Sequence, residues 1–171
     1  MVVWIIGLSG AGKTTLANEV IAQVRCVQRN VVLLDGDVIR KVFGNDLGHT
    51  MEDRHANARR ICQLGEFLEG QGIHVVCAIL SLFPESRSWN RDNLKNYYEV
   101  FIDTPMEDLV KRDYKGLYGR FKRGEICDVA GMDIDFQRPD NADLTITNSS
   151  SKEVLLGYAN AIAERIIGGH S

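Results

Sequence analysis

The sequence predicts an α/β fold: a five-stranded parallel sheet with helices on both faces and a basic lid segment. Two observations carry this reading. Short apolar runs alternate with segments of helical period, which implies right-handed crossovers between parallel strands. The runs are apolar at consecutive positions, as strands buried on both faces are. A length of 171 residues is the size of one domain, so residues 1–171 read as a single domain with one insertion.

Strands are expected at Val2 to Ile6, Val31 to Leu34, Val75 to Ile79, Val100 to Ile102 and Leu144 to Ile146. Leu16, Val20 and Val24, spaced by four, mark the first helical face. Ile61, Leu64 and Leu68 mark a second, and Leu155, Tyr158, Ile162 and Ile166 mark the last. Ligands of such sheets bind at the carboxyl ends of the strands, so the chemistry is sought in the residues that follow each run.

After the first strand comes Gly7-Leu8-Ser9-Gly10-Ala11-Gly12-Lys13-Thr14-Thr15, which satisfies G-x-x-x-x-G-K-S/T between a strand and a helix. The glycines let the backbone turn tightly and bring its N–H groups against a polyphosphate, while the helix adds the positive end of its dipole. Lys13 would reach the β- and γ-phosphates, and the Thr14 hydroxyl would face Mg²⁺. The bland alternative is a glycine-rich turn that binds nothing.

After the second strand comes Asp35-Gly36-Asp37, with Arg40 one turn on. Two carboxylates and an arginine at a sheet edge can hold hydrated Mg²⁺, accept a proton from an attacking hydroxyl and grip a phosphate. Asp-Gly also marks turns, and Asp37 is equally placed to cap the next helix. Further on, Arg54, Asn57 and Arg60 are spaced by three and share a helix face beside Asp53 and Arg59, so they read as a phosphate and ribose grip or as a solvated charged face.

From Asp113 to about Ala142 there is little period of either kind, yet Lys115, Arg120, Lys122, Arg123 and Arg138 lie among glycines. The segment is expected to be an irregular lid that closes over the phosphates, or else a solvated charged loop. Composition adds limits. With 44% apolar residues, 25% charged residues and a net charge of −3, nothing global attracts nucleic acid or anionic membrane. No apolar run is long enough to span a bilayer and no leader precedes Val2, so the expected compartment is the cytoplasm. Cys26, Cys62, Cys77 and Cys127 are scattered and read as reduced thiols. His49, His55, His74 and His170 form no metal-spaced set, and the tail around His170 is expected to fray.

Taken together the motifs resemble those of the adenylylsulfate kinases, which phosphorylate the 3′-hydroxyl of adenosine 5′-phosphosulfate with ATP. The resemblance runs through G-L-S-G-A-G-K-T, L-D-G-D-x-x-R at 34–40 and L-G-x-x-x-x-D-R-x-x-N-x-R-R at 47–60. It continues in Asp103-Thr104-Pro105, Arg112-Asp113, Lys115-Gly116-Leu117-Tyr118 and Gly124-Glu125-Ile126. It implies the P-loop kinase fold, with ATP held by Gly7, Ser9, Gly10, Ala11, Gly12, Lys13, Thr14 and Thr15 and with Mg²⁺ at Thr14 and Asp35. Asp37 would be catalytic, supported by Lys13 and Asp35, while Arg40, Arg54, Asn57 and Lys115 would contact a small nucleotide acceptor. Ser81 matches a serine sometimes assigned as a phosphorylated intermediate, although direct in-line transfer needs only positioning and charge stabilisation. The donor's base is expected near Thr147 to Ser150. The expected partners are the acceptor and, if the chain assembles, a second copy in a homodimer, with neither nucleic acid nor membrane.

The chain also departs from the family pattern. His49 and Val129 stand where two phenylalanines usually clasp the acceptor's adenine, F-I-S-P reads Ile79-Leu80-Ser81-Leu82, and D-P-Y reads Ile134-Asp135-Phe136. Leu80 and Ser81 are therefore counted with His49 and Val129 as acceptor-site candidates. Base stacking is worth about 1–3 kcal/mol per ring, so the acceptor is open where the donor is not. Adenosine 5′-phosphosulfate leads, a sibling conjugate such as cytidine diphosphoramidate follows, and a nucleotide-binding switch is the reading outside the kinase class.

Overall fold

The computed structural model describes residues 1–149 and 151–168, so Ser150 and His170 of the readings above lie outside the described residues. Five parallel strands form one sheet: β1 (Val2–Ile6), β2 (Val31–Asp35), β3 (His74–Ile79), β4 (Tyr97–Asp103) and β5 (Leu144–Thr147), in the order β2-β3-β1-β4-β5. β4 reaches three residues before the expected Val100, because buried Glu99 and the tyrosines before it interrupt the apolar run but not the ladder.

β1 sits at the centre and is completely buried, which is why it reads as five consecutive apolar residues. Its side chains still alternate. Val3 and Ile5 join Leu16, Val20 and Val24 of α1 (Lys13–Arg25) and Ile162 and Ile166 of the last helix in one core. Val2, Trp4 and Ile6 join Ile61 and Cys62 of α3 (Met51–Gly70) in the other. A helical layer thus covers each face.

Register brings the functional ends together. Ile6 pairs with Ile79 and with Phe101, Asp35 with Ala78, and Asp103 with Thr147, so all five strands deliver their next residues to one edge.

Two expectations need correction. The final helical face is divided between α7 (Lys152–Gly157) and α8 (Ala159–Gly168), with the break at Gly157-Tyr158, where glycine is a poor helix former. The lid segment is not structureless either: after α5 (Met106–Arg112) it contains α6 (Leu117–Lys122) and a bridge between Ala130 and Ile134. The sequence hides this order because it comes from two aspartates that accept backbone N–H groups, Asp113 before α6 and Asp133 beyond it. Asp113 accepts from the N–H groups of Tyr118 (3.0 Å) and Gly119 (2.8 Å), and Asp133 accepts from those of Asp128 (2.8 Å) and Val129 (2.6 Å). The remaining helices are α2 (Gly36–Val42) and α4 (Pro84–Asn93). No helix among the described residues is long and apolar enough to cross a membrane.

Candidate active site

The phosphate loop leaves β1 through Gly7, at φ 152°, where a Cβ would lie 2.7 Å from the Ile102 carbonyl oxygen. Only glycine fits, because a backbone atom of the neighbouring strand cannot give way. The loop ends at Gly12, in the left-handed region, with no side chain capping α1, so the first-turn N–H groups are left for an anion. Two distant side chains brace the loop: Asn148 donates to the Ala11 carbonyl at 2.8 Å, and the buried Tyr118 hydroxyl of α6 donates to the Ser9 carbonyl at 2.8 Å. Gly7 and Ala11 are buried supports, while Ser9, Gly10, Gly12, Lys13, Thr14 and Thr15 line the cleft.

Lys13 is half-buried and donates to the Leu8 carbonyl at 2.8 Å. Burial, and then the nearby Lys115 ammonium, push its pKa down to about 8, against the opposing pull of Asp37 and Asp35. The Thr14 hydroxyl donates to Asp35 Oδ2 at 2.8 Å, and Asp35 Oδ1 accepts from the N–H groups of Asp37 and Val38. The helix cap is therefore Asp35, and Asp37 is free of that task. The Asp37 carboxylate projects into the cleft and pairs with Lys115 at 2.6 Å. Burial raises its pKa, but the hydrogen bond and charge of Lys115, with Lys13 adding, outweigh this and hold the carboxyl below its usual range.

The same cleft, about 490 Å³, is lined by Arg40, His49, Arg54, Asn57, Leu80 and Ser81. The arginines grip backbone here: Arg40 donates to the carbonyls of Leu47 (3.3 Å) and Gly48 (2.7 Å), and Arg54 to those of His49 (2.8 Å) and Asp128 (2.7 Å). Arg54 thus ties helix α3 to the lid tip. Burial, followed by the charges of Arg40 and Arg54, lowers the His49 pKa against the opposing pull of Asp37 and Asp53. Asn57 is buried at 6% exposure with Oδ1 unpartnered, an acceptor waiting for a donor. Ser81 is also buried, its φ of 53° is unusual for a residue with a side chain, and its hydroxyl accepts from the Trp4 indole at 3.3 Å.

Three expected members stand elsewhere. Val129 is 2% exposed within the core rather than on the cleft wall, because Asp133 folds the lid tip back through the Val129 N–H. Arg60 forms a two-pronged pair with Asp46 and lies over the Phe43 ring, away from the cleft, while Arg59 is exposed beside Phe83 on the outer face of α3. Of the basic lid residues, only Lys115 lines the cleft; Arg120 and Arg123 pair with Glu125, and Arg138 pairs with Asp103. Sequence reasoning also missed contributors. Trp4 read only as part of the first apolar run, Phe83 belongs to no motif singled out in the sequence, and Asn148 stood within the stretch kept for the donor's base.

The chain matches the family model described as adenylylsulphate kinase over residues 1–147. It belongs to the adenylylsulphate kinase family. Among its relatives, the adenylyl-sulfate kinase of Paraburkholderia xenovorans is 40% identical over 146 residues, covering 85% of this chain and 82% of that one. The cytidine diphosphoramidate kinase of Campylobacter jejuni is 39% identical over 151 residues, covering 86% of each. Among solved structures, the Mycobacterium tuberculosis APS kinase CysC in complex with AMPPNP and APS superposes with a TM-score of 0.86 at 34% identity, covering 97% of this chain and 96% of that one. The protein is accordingly a phosphotransferase acting on a hydroxyl acceptor.

Proposed function

We propose that this kinase transfers the γ-phosphoryl group of ATP to the 3′-hydroxyl of adenosine 5′-phosphosulfate. The observation that carries the proposal is one cleft lined together by the phosphate loop, by Asp37 paired with Lys115, and by Arg40, Arg54 and Asn57. The loop N–H groups and Lys13 bind the donor's phosphates and fix the γ-phosphorus in line with the acceptor. Asp37 takes the proton as the acceptor oxygen bonds to phosphorus, the bond to the β-phosphate oxygen breaks, and ADP departs. Lys115, already at Asp37, and Lys13 offset the charge that spreads over the transferring oxygens.

Thr14 and Asp35 fit Mg²⁺, being two hard oxygen donors 2.8 Å apart beside the phosphate cradle, with room for phosphates and water as further ligands. When bound there, the ion would supply positive charge to the β- and γ-oxygens. Ser81 serves as cleft wall rather than as phosphate carrier, since its hydroxyl is turned to the Trp4 indole. Four free cysteines, two of them exposed, fit a reducing compartment, and we place the protein in the cytoplasm.

A second reading is favoured by one specific observation. The cleft position that would hold an aromatic ring is His49, and Val129 supplies no wall on the opposite side, so a smaller pyrimidine conjugate such as cytidine diphosphoramidate also suits the pocket. Relative kcat/KM for the two acceptors, measured at saturating ATP, decides between them. A ratio above one for adenosine 5′-phosphosulfate upholds the leading reading, and a ratio below one overturns it in favour of the cytidine conjugate.

A further inference from the structure

Helix α4 carries two arginines one turn apart that belong to neither the donor nor the acceptor machinery described above. Arg87 is 8% exposed, and its guanidinium donates to two backbone carbonyls, Ser81 at 3.1 Å and Gln137 at 3.5 Å; among the described residues it makes no ion pair. A buried cation held only by carbonyls is expensive to desolvate, so its presence calls for a geometric reason. The planar fork of arginine supplies one, because it can hold two carbonyls at a fixed separation, which a lysine ammonium cannot do as well.

The two carbonyls belong to parts that must agree for catalysis. Ser81 sits in the segment that lines the acceptor cleft, in a left-handed conformation that side chains rarely adopt. Gln137 lies on the return of the lid, whose tip meets Arg54 at the Asp128 carbonyl. One turn on, Arg91 holds the same return segment through the Asn141 carbonyl at 2.7 Å and the Asp143 carboxylate at 3.4 Å. Helix α4 is thus a strut between the acceptor wall and the base of the lid.

We propose that Arg87 is a positioning residue for phosphoryl transfer: its guanidinium holds the Ser81 turn in the shape the acceptor needs and ties that turn to the lid. This rests on the kinase reading above, with either acceptor. Arg87 touches no reacting atom, so its effect is on acceptor binding and on lid order, while the phosphate loop stands apart from it.

The test compares Arg87→Met, Arg87→Lys and wild type in two assays. In steady-state transfer, Arg87→Met should raise the acceptor KM about tenfold or more, the factor one lost charged hydrogen bond corresponds to, with the ATP KM within about twofold. Arg87→Lys should recover part of this loss. In amide exchange on the ligand-free protein, residues 80–83 and 137–141 should exchange faster in Arg87→Met while β1 and β4 stay protected. With Ser81→Gly as background, glycine tolerates the left-handed turn unaided, so the Arg87→Met penalty on acceptor KM should shrink. An unchanged acceptor KM, a parallel rise in both KM values, or unchanged exchange at the two segments overturns the proposal, as does a penalty that is the same in the Ser81→Gly background. If wild type transfers phosphate to no nucleotide acceptor, the kinase reading fails, and the exchange assay still decides the role of Arg87 in holding the two segments.

Discussion

Lys13 and Asp37 line one cleft, and their surroundings lower the pKa of both, which disfavours the Lys13 ammonium and favours the Asp37 carboxylate. With its pKa at about 8, the Lys13 ammonium loses its proton within the working range of many enzymes. We therefore expect kcat/KM for ATP, which reports the free enzyme, to fall above about pH 8, and the limb of kcat to lie higher because bound polyphosphate favours the charged form. Replacing Lys13 by Arg should move the kcat/KM limb upwards; a limb that stays in place assigns it to another group. The same shift has a stability consequence. Between about pH 8 and the ordinary lysine value of 10.5 the unfolded chain binds more protons at this site, so the Lys13 contribution to stability improves as pH rises through that window. Asp37, held below its usual value, is ionised throughout, and its contribution is lost only as pH falls through its lowered value. Asp37→Asn keeps the shape and removes proton acceptance, so kcat should drop by about 10²–10⁴-fold with little change in acceptor KM. A mutant that instead loses acceptor affinity at normal kcat would show Asp37 to be a binding group.

Among the elements, the lid is where sequence and structure differ most. Its order rests on Asp113 and Asp133, each accepting two backbone N–H groups, and a loop fastened in this way has no period to read. Helix α6 matters because it delivers Tyr118 to the Ser9 carbonyl, while Lys115 just before it reaches Asp37. Asp113→Ala should therefore loosen both ends of the transfer site, raising ATP KM and lowering kcat, while costing only about 0.5–2 kcal/mol in global stability, as lost caps do. Wild-type kinetics in a variant with that stability loss would separate α6 from catalysis. The parallel strands and the phosphate loop were legible because continuous apolar runs and three glycines are written locally. The Thr14–Asp35 contact was legible only as two motifs, and which aspartate caps α2 was not, since either carboxylate satisfies the local pattern. Val129 was misplaced as well. It stands where the family has a phenylalanine of the acceptor pocket, but the turn made by Asp133 points it inward.

At the scale of the molecule, a central β1 with its two cores sets all five strand ends in register, and the phosphate loop, Asp37, Lys115, Arg40, Arg54 and Asn57 line one cleft. The choice of acceptor base is the property that this arrangement leaves to a few side chains. His49→Phe should raise kcat/KM for adenosine 5′-phosphosulfate by up to about tenfold, the value of one added stack. Val129→Phe should instead cost about 1–3 kcal/mol of stability, because the added ring must enter the core. An improvement from Val129→Phe with normal stability would return that residue to the pocket wall. The most direct measurement is the initial rate of ATP consumption with and without adenosine 5′-phosphosulfate, with the nucleotide product identified. The account predicts negligible turnover without acceptor, and with it one 3′-phosphorylated nucleotide for each ADP formed. Equal rates in both cases, with inorganic phosphate as the product, would contradict it.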